Sequence, residues 1–454
     1  MPSINPELAS GFRDYLPEEM IPRQKMFDTI RAVFERFGFV PLDTPALERE
    51  EVLTGGDPDF KMQIYRVGLR HPDTTADTEI LEDDRGLALH FDLTVPLARV
   101  IARYQQQIQK PFKRYQVGKV WRGEKAQAGR YREFVQFDAD IVGSESKMAD
   151  SEIIALMYET LSALGVPNFL IRVNNRKVLN GLAAYAGFDL AQTPDVLRVI
   201  DKLDRQGWEN VQDELVREVG LDREQTTALR RFINLNSNTP LETLNAVERL
   251  MDKSPIAMEG ISELREIMEH VIALGVPNDR WTIDLSVARG LGYYTGPVFE
   301  AILMDLPSIG SVFSGGRYDD LVARFTPTMV PATGASVGVD RLFTALEQMG
   351  LIQKQSAVAP VMVLNFDPTA GTACERVATR LRRTGISTEI YLGRERTLRA
   401  QISYAVRKEV SVVILIGSTE LANGTLQIRD MKARTQSEVQ EDEVLTFVRQ
   451  ILNL

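Results

Sequence analysis

The sequence of 454 residues has a single cysteine, Cys374, and three histidines far apart along the chain, at His71, His90 and His270. One cysteine cannot form a disulfide within the chain, and a zinc site needs several Cys or His ligands close in space. These counts argue against a disulfide framework, a zinc site and a Cys–His nucleophile. We interpret Cys374 as a core residue and expect no metal site built by the protein alone.

Long hydrophobic runs are also missing. The longest, Val410–Ile416, includes a serine and is far shorter than the roughly twenty residues that cross a bilayer. The first twenty residues contain charges and prolines in place of the apolar region of a signal peptide. We therefore expect a cytoplasmic protein without membrane contact.

Positive charge is scarce overall but locally abundant. The formal net charge is −10, which argues against wrapping by nucleic acid. Between Arg376 and Arg434, however, twelve Lys and Arg residues face five Asp and Glu residues, an excess of seven positive charges. Such a segment either binds a polyanion at one place or is a solvated helical face, and charge alone does not decide between them.

The chain is too long for one ordinary core, so two or three domains are expected. Residues 113–123 and 131–143 alternate as strands do, around a polar loop from Gly123 to Arg130, and predict a long antiparallel hairpin. Residues from about 177 to 275 have a helical pattern. Alternating β and α patterns from about residue 359 predict a small α/β domain.

The segment RGLGYYTG (289–296) combines an arginine, three glycines and two tyrosines. Glycines allow a backbone to approach a ligand, and the guanidinium and phenol groups donate hydrogen bonds beside it. That composition suits a small zwitterion with an aromatic side chain. A buried strand and turn would use the same residues, because tyrosine pairs are common in protein cores.

Three separated arginines stand beside strand-like runs, at Arg122, Arg289 and Arg341. Arginine binds phosphate and carboxylate in a bidentate manner, because its planar fork presents paired donors. Convergence of the three would suit a triphosphate and an α-carboxylate. Surface ion pairs are the alternative for each arginine taken singly.

Six stretches together resemble one enzyme family. Three are similar, in order, to the signature motifs of class II aminoacyl-tRNA synthetases: GFVPLDTPALE (38–48), KVWRGEKAQAGRYREFVQFDADIVG (119–143) and GASVGVDRLF (334–343). Three more resemble histidyl-tRNA synthetases in particular: FDLT (91–94), ARGLGYYTG (288–296) and SGGRYDDL (314–321). The resemblance covers essentially the whole chain.

The resemblance implies an α+β fold. A class II antiparallel-sheet catalytic core would cover residues 1–345, interrupted by a helical insertion at about 177–275. A linker at 346–358 would lead to a C-terminal α/β anticodon-binding domain at 359–454. A homodimer is expected, with its interface around motif 1, at Phe34, Phe37, Phe39, Val40, Pro41 and Pro45.

The implied activity is that of a histidine–tRNA ligase. L-histidine would react with ATP, accompanied by Mg²⁺, to form histidyl-adenylate, and the histidyl group would pass to the 3′ end of tRNA(His). The expected catalytic residues are Arg289, Arg122 and Arg341. ATP would be bound by Arg122, Glu124, Arg130, Phe134 and Arg341, and the tRNA acceptor end would meet Lys125 and Gln127.

The resemblance also implies a histidine pocket. Asp92 and Thr94, helped by Gln136, would hold the α-amino group, and Asp140 with Tyr294 would read the imidazole. The complete expected set is Asp92, Thr94, Arg122, Gln136, Asp140, Arg289, Tyr293 and Tyr294.

The chain departs from the family pattern at Lys125 and Ala126, where Arg-Pro is frequent, at Gly292, where Asp is frequent, and at His90, where Arg is common. The main alternative is the non-catalytic, histidine-binding regulatory paralogue of ATP phosphoribosyltransferase, which typically lacks the anticodon-binding domain. A prolyl or threonyl enzyme is a more distant alternative, and the threonyl enzyme would need zinc ligands. A nucleotide-binding oxidoreductase fails because no GxGxxG opens an early βαβ unit.

Overall fold

The computed structural model describes residues 4–55, 64–68, 86–123, 131–235, 237, 239–288 and 293–454. Two compact units divide the chain. The first contains Met1–Arg13 and Phe27–Leu351, and the second contains Asp14–Met26 and Ile352–Leu454. Within the described ranges, no helix is both long enough and apolar enough to span a membrane.

The α-helices are α1 (Pro17–Arg36), α2 (Glu50–Thr54), α3 (Thr94–Arg103), α4 (Lys147–Ala163), α5 (Arg176–Asn180), α6 (Leu182–Ala186), α7 (Thr193–Ile200), α8 (Leu203–Glu214), α9 (Arg223–Ile233), α10 (Pro240–Leu250), α11 (Pro255–Ala273), α12 (Val339–Gln348), α13 (Gly371–Arg383), α14 (Leu398–Arg407), α15 (Ser418–Asn423) and α16 (Val444–Leu452). Short 3-10 or π turns cover Leu190–Gln192, Leu215–Val219, Pro307–Ile309, Val322–Arg324, Pro368–Ala370 and Glu441–Glu443.

The strands are β1 (Val40–Pro41), β2 (Leu47–Arg49), β3 (Tyr65–Val67), β4 (Leu87–Leu89), β5 (Phe112–Trp121), β6 (Glu133–Val142), β7 (Phe169–Asn175), β8 (Trp281–Ile283), β9 (Pro297–Leu303), β10 (Ser311–Arg317), β11 (Ala332–Gly338), β12 (Val361–Val363), β13 (Thr388–Ile390), β14 (Val412–Leu415), β15 (Thr425–Asp430) and β16 (Thr435–Gln440).

The main sheet of the first unit has the strand order β1-β5-β6-β11-β10-β9-β7-β8 in the described part of the chain. Its interior pairs are antiparallel, whereas β1 and β8 join the two edges in parallel. The predicted hairpin is the pair β5 and β6, with Arg114 opposite Asp140 and Gln116 opposite Asp138. The antiparallel core expected from the resemblance is confirmed.

The two faces of this sheet differ in polarity because successive side chains of a strand point to opposite sides. Gln136, Asp138 and Asp140 share one face. On β6 the intervening Phe137 packs on α1, with its ring centroid 5.1 Å from that of Phe34. Phe34 is fully buried, so α1 covers the apolar face and leaves the polar face for a ligand.

The motif 1 segment divides between core and surface. Phe34 and Phe39 are only 0% and 2% exposed within the chain itself, so they support the monomer core and cannot form an exposed interface. Val40, Pro41 and Pro45 are exposed. The dimer contact stays a prediction, and the residues of the segment that a partner could reach are the half-buried Phe37 and the exposed Val40, Pro41 and Pro45.

Helices occupy the chain between β7 and β8, and their ends carry local capping signals. Ser254 caps α11 by accepting a hydrogen bond from the Ala257 amide, with Pro255 in the first turn. Asp222 and Gln225 form a capping box at the start of α9. A Cβ on Gly260 would lie 2.9 Å from the Val178 amide nitrogen, so the absence of a side chain lets α11 pack closely on α5.

The second unit contains a five-stranded sheet, in the order β13-β12-β14-β15-β16, among its described residues. β12 is parallel to β13 and β14, and the last three strands are antiparallel. Helix α13 contributes Cys374, Val377 and Leu381 to the core of this unit. Cys374 is buried, as expected, and burial raises the pKa of its thiol to about 11.

We predict that Phe34→Ala lowers the free energy of unfolding of the first unit by roughly 3–5 kcal/mol, because it leaves a cavity in a packed aromatic cluster. Val216→Ala, at a side chain 44% exposed, should change it by less than about 0.5 kcal/mol. Chemical denaturation of both variants checks the difference. Equal effects would contradict the assignment of Phe34 to the core.

Candidate functional site

A cleft of about 220 Å³ opens on the polar face of the main sheet. Four of the residues expected from sequence line it: Arg122, Phe134, Gln136 and Arg341. The other lining residues are Tyr131, Ser311, Val312, Ser314, Ser336, Gly338 and Asp340. Two of the three arginines singled out from the sequence therefore meet at one cavity.

Arg122 follows directly after β5 and is held from two sides. Its Nε donates to the carbonyl oxygen of Phe91 over 3.1 Å, and its guanidinium carbon lies 5.1 Å from the centroid of the Phe134 ring. A guanidinium over an aromatic face is stabilised by the ring quadrupole. The cation is thus fixed at the wall of the cleft.

Arg341 lies in the first turn of α12, where strand β11 passes into the helix. Its Nη1 donates to the carbonyl oxygen of Ser311 over 2.5 Å. The neighbouring Asp340 accepts a hydrogen bond of 2.7 Å from the Val135 amide. These contacts tie the helix to β6 and β10 and set the position of the second cation.

Three buried hydrogen-bond acceptors lie on the floor beside the cleft. Asp92 Oδ2, Gln136 Oε1 and Asp138 Oδ1 are buried, and no described group donates to them. The orientation of Gln136 is set by Ser336, because Gln136 Nε2 donates to Ser336 Oγ over 2.8 Å. Ser336 in turn bonds with Asp138. Buried acceptors without donors are rare in folded proteins and suit a ligand that brings donors.

Burial raises the pKa of Asp92 to about 6, against the lowering effects of the Val95 amide and Arg122. Burial also raises the pKa of Asp138 to about 7, with Arg114 opposing the rise and Asp140 adding to it. A cationic ligand would reverse both shifts, because it stabilises the ionised carboxylates.

Asp140 is held by two groups that the sequence analysis did not assign. Arg114 Nη2 lies 2.8 Å from Asp140 Oδ2, and the Tyr318 hydroxyl donates to Asp140 Oδ1. Burial raises the pKa of Asp140, while Arg114 and Tyr318 lower it. Tyr318 is therefore the hydroxyl that bonds to Asp140, and the expectation that Asp140 and Tyr294 together read the imidazole stays a prediction.

Tyr293 and Tyr294 adjoin these carboxylates. Their ring centroids are 5.0 Å apart in an edge-on arrangement, and Tyr293 hydrogen-bonds with Thr94 at the start of α3. Burial raises the pKa of both phenols, and nearby carboxylates, including Asp92, raise it further. Both phenols therefore stay protonated and can donate hydrogen bonds. The two tyrosines are thus both buried and next to the carboxylates, so the two interpretations of this segment do not exclude each other.

Several expected residues lie outside the described part of the chain: Arg289, Glu124, Arg130, Lys125 and Gln127. Among the residues that are described, Arg114, Asp138, Tyr318 and Ser336 join the site without having been assigned to it. Asp138 could have been found from the sequence, because it lies two residues from both Gln136 and Asp140 and therefore on the same face of the strand. Tyr318 lies inside the stretch SGGRYDDL, which had been singled out without a role for this residue.

Comparisons with known proteins agree along the whole chain. A family model described as "Histidyl-tRNA synthetase" matches residues 11–342, and one described as "Anticodon binding domain" matches residues 360–451. A protein of Wolinella succinogenes named histidine--tRNA ligase is 42% identical over 431 residues, covering 94% of each chain. A protein of the same name from Rhodopirellula baltica is 40% identical over 439 residues, covering 96% of each.

Solved structures show the same likeness. The crystal structure of histidyl-tRNA synthetase from Nostoc sp. PCC 7120 matches with a TM-score of 0.85 and 34% identity, over 99% of this chain and 100% of that one. A structure from Bacillus halodurans C, described as an ATP phosphoribosyltransferase regulatory subunit/histidyl-tRNA synthetase, matches with a TM-score of 0.71 and 22% identity, over 88% and 97%. The second likeness concerns the fold alone.

The raised pKa of Asp138 predicts a pH-dependent gain in stability for Asp138→Asn. The folded state holds this proton up to about pH 7, whereas the unfolded state loses it near about pH 4. Between about pH 4 and pH 7 the folded state keeps a proton that the unfolded state has released, so the stability of the wild type falls over this range and stays low above it. At pH 8 the variant should gain at least about 1.4 kcal/mol, one pKa unit, and at pH 4 the gain should vanish.

Chemical denaturation at the two pH values measures this difference. Asp320→Asn, at an exposed carboxylate, is the matched control and should show no such change. A gain for Asp138→Asn that is the same at pH 4 and pH 8 would refute the assignment.

Proposed function

The chain belongs to the histidyl-tRNA synthetase family, and we propose that the cleft and the polar floor beside it join L-histidine to ATP. The activity is that of a histidine–tRNA ligase, an aminoacyl-tRNA ligase. The comparisons favour this reading over the regulatory paralogue, because the relatives named as ligases match nearly the full length, including the anticodon-binding domain. The observation that most directly supports this proposal is that Arg122, Phe134 and Arg341 line one cleft beside three buried acceptors.

The α-ammonium group of histidine binds to the floor. An ammonium has three donors, and Asp92 Oδ2, Gln136 Oε1 and Asp138 Oδ1 offer three acceptors. Thr94 stands two residues after Asp92. Binding of the cation offsets the cost of burying two carboxylates, which otherwise raises the pKa of both.

The imidazole is read by Asp140 together with the phenols of Tyr293 and Tyr294. A buried carboxylate held by Arg114 and Tyr318 presents a fixed acceptor, and protonated phenols present donors. Side chains without ring nitrogens would leave these groups desolvated and unpaired, which is how a polar pocket rejects an analogue strongly.

ATP lies in the cleft. Phe134 stacks on the adenine ring, Arg122 binds the α-phosphate and Arg341 binds the γ-phosphate. Glu124 and Arg130, which belong to motif 2, also bind ATP. The histidine carboxylate attacks the α-phosphorus in line, and diphosphate leaves. A carboxylate is already a nucleophile, so no general base is needed, and the protein supplies positioning and charge stabilisation. Arg289 binds the carboxylate and α-phosphate.

ATP arrives with Mg²⁺ on its β- and γ-phosphates. The described residues include no cluster of three His, Cys, Asp or Glu side chains that could hold a metal. Mg²⁺ usually keeps several waters and binds through phosphate oxygens and one or two carboxylates, so it would come to the site with the substrate.

The histidyl group then passes to the terminal ribose of tRNA(His), whose acceptor end meets Lys125 and Gln127. The C-terminal unit carries the anticodon-binding domain, and its local positive charge supports phosphate contacts. We place the protein in the cytoplasm, where tRNA is charged for translation, as a homodimer. The exposed Val40, Pro41 and Pro45 support its interface.

Histidine-dependent ATP–diphosphate exchange tests the adenylation step. Among the twenty amino acids, histidine alone should support exchange, and Arg341→Ala should lower its rate by about 10²–10³, the usual effect of removing one charge-stabilising donor. Arg289→Ala should lower it at least as much.

Arg198→Ala is the matched control, because Arg198 is 58% exposed and paired with Asp195, and it should keep wild-type exchange. Histidine binding without exchange in the wild type would refute the ligase and favour the regulatory paralogue.

Gly334→Ala tests the histidine pocket. A Cβ at Gly334 would overlap the Asp140 carboxylate and crowd the Ala139 carbonyl oxygen, so Asp140 must move. The KM for histidine should rise about tenfold or more, roughly 1.4 kcal/mol, while the KM for ATP stays within about twofold. Gly371→Ala adds a Cβ that meets nothing within 4 Å and should leave both constants unchanged. An equal rise of both constants for Gly334→Ala would place its effect outside the histidine pocket.

A further inference from the structure

Arg114 is a fully buried arginine on the polar face of the sheet. It lies in β5 opposite Asp140 of β6. Its Nη2 is 2.8 Å from Asp140 Oδ2 and donates to the Leu93 carbonyl oxygen over 3.0 Å. Leu93 stands between Asp92 and Thr94. One guanidinium therefore links the strand proposed to read the imidazole with the loop proposed to hold the ammonium.

Arg114 is also a cation shared by three buried carboxylates. It lowers the pKa of Asp92, Asp138 and Asp140, and for Asp138 and Asp140 it is the largest influence opposing burial. The other charged or polar groups that act on these carboxylates are the Val95 amide, Arg122, His90, Ser336 and Tyr318. The carboxylates in turn raise the pKa of the Tyr293 and Tyr294 phenols.

The hydrogen bonding of Arg114 is incomplete. Its Nε and Nη1 are buried, and no group in the described part of the chain accepts from them. A buried donor without an acceptor destabilises the folded state, and a buried ion pair often adds no stability over apolar residues of the same volume. An arginine kept here at such a cost is better explained by its effect on the pocket than by stability.

We propose that Arg114 is a positioning residue for histidine recognition: it keeps Asp140 ionised and oriented towards the imidazole and holds the loop of Asp92 and Thr94 against the sheet. Arg114 does not touch the substrate. It acts through Asp140 and Leu93. The proposal rests on the proposed function, because it assigns the pocket to histidine.

The test compares Arg114→Met with the wild type by steady-state ATP–diphosphate exchange between pH 6 and 8.5. Loss of the cation should raise the KM for histidine about tenfold at pH 7, since a charge partner at this distance is worth about one pKa unit or more. The KM for ATP should change less than about twofold. Raising the pH should re-ionise Asp140 and restore part of the histidine affinity, so the pH profile of this KM moves upward by about one unit.

Arg114→Lys and Arg99→Met are the companion variants. The lysine keeps the charge without the planar fork, so it should retain the wild-type pH profile with a smaller rise in the KM for histidine. Arg99 forms an ion pair of 2.6 Å with Glu48, away from the three carboxylates, and its loss should leave the pH profile unchanged. If Arg114→Met does not fold, the lysine variant alone still tests the proposal through its pH profile.

An unchanged KM for histidine in Arg114→Met would overturn the proposal, as would equal rises for histidine and ATP with an unmoved pH profile. A lysine variant with a shifted profile would also overturn it. Absence of histidine-dependent exchange in the wild type is a different result, because it refutes the proposed function itself.

Discussion

The antiparallel register of β5 and β6 is the constraint on which the site depends. It sets Arg114 opposite Asp140, Gln116 opposite Asp138 and Gly118 opposite Gln136. Because side chains alternate along a strand, a slip of one residue would turn every one of these groups towards α1 and bring Phe137 to the ligand face. The aromatic cluster of Phe34 and Phe137 prevents that slip, since it would lose its burial. Packing on one face thus fixes the chemistry of the other.

Three buried carboxylates lie close together on the polar face of the sheet. Asp92, Asp138 and Asp140 are each at most 2% exposed, and Arg114 lies among them. Burying carboxylates is costly, and the raised pKa values of all three express that cost. The ammonium group of the proposed substrate would add a positive charge beside them. In the proposed function, binding of the substrate therefore also offsets the cost of burying these carboxylates.

The cleft proposed for the nucleotide is organised by contacts with backbone carbonyl groups. Arg122 donates to the Phe91 carbonyl oxygen, and Arg341 to that of Ser311. Phe91 directly precedes Asp92, so the cation proposed for the α-phosphate and the carboxylate proposed for the α-ammonium are joined through one peptide. Groups held in place before the substrates bind need little reorganisation during reaction, which is the basis of electrostatic catalysis.

The sequence by itself determined the family, the antiparallel hairpin and the separate C-terminal domain, because these follow from contiguous motifs and from the alternation of side chains along strands. The buried state of Cys374 followed from its being the only cysteine of the chain. It also predicted that Arg122 and Arg341 could converge. Only the tertiary structure decided which groups meet Asp140: Tyr318 is 178 residues away along the chain, and Arg114 resembled an ordinary strand arginine. The structure likewise moved Phe34 and Phe39 from an expected interface into the core. A local sequence pattern shows the type of secondary structure and the face on which a side chain lies. Strand register and the packing of distant segments determine which side chain it contacts there.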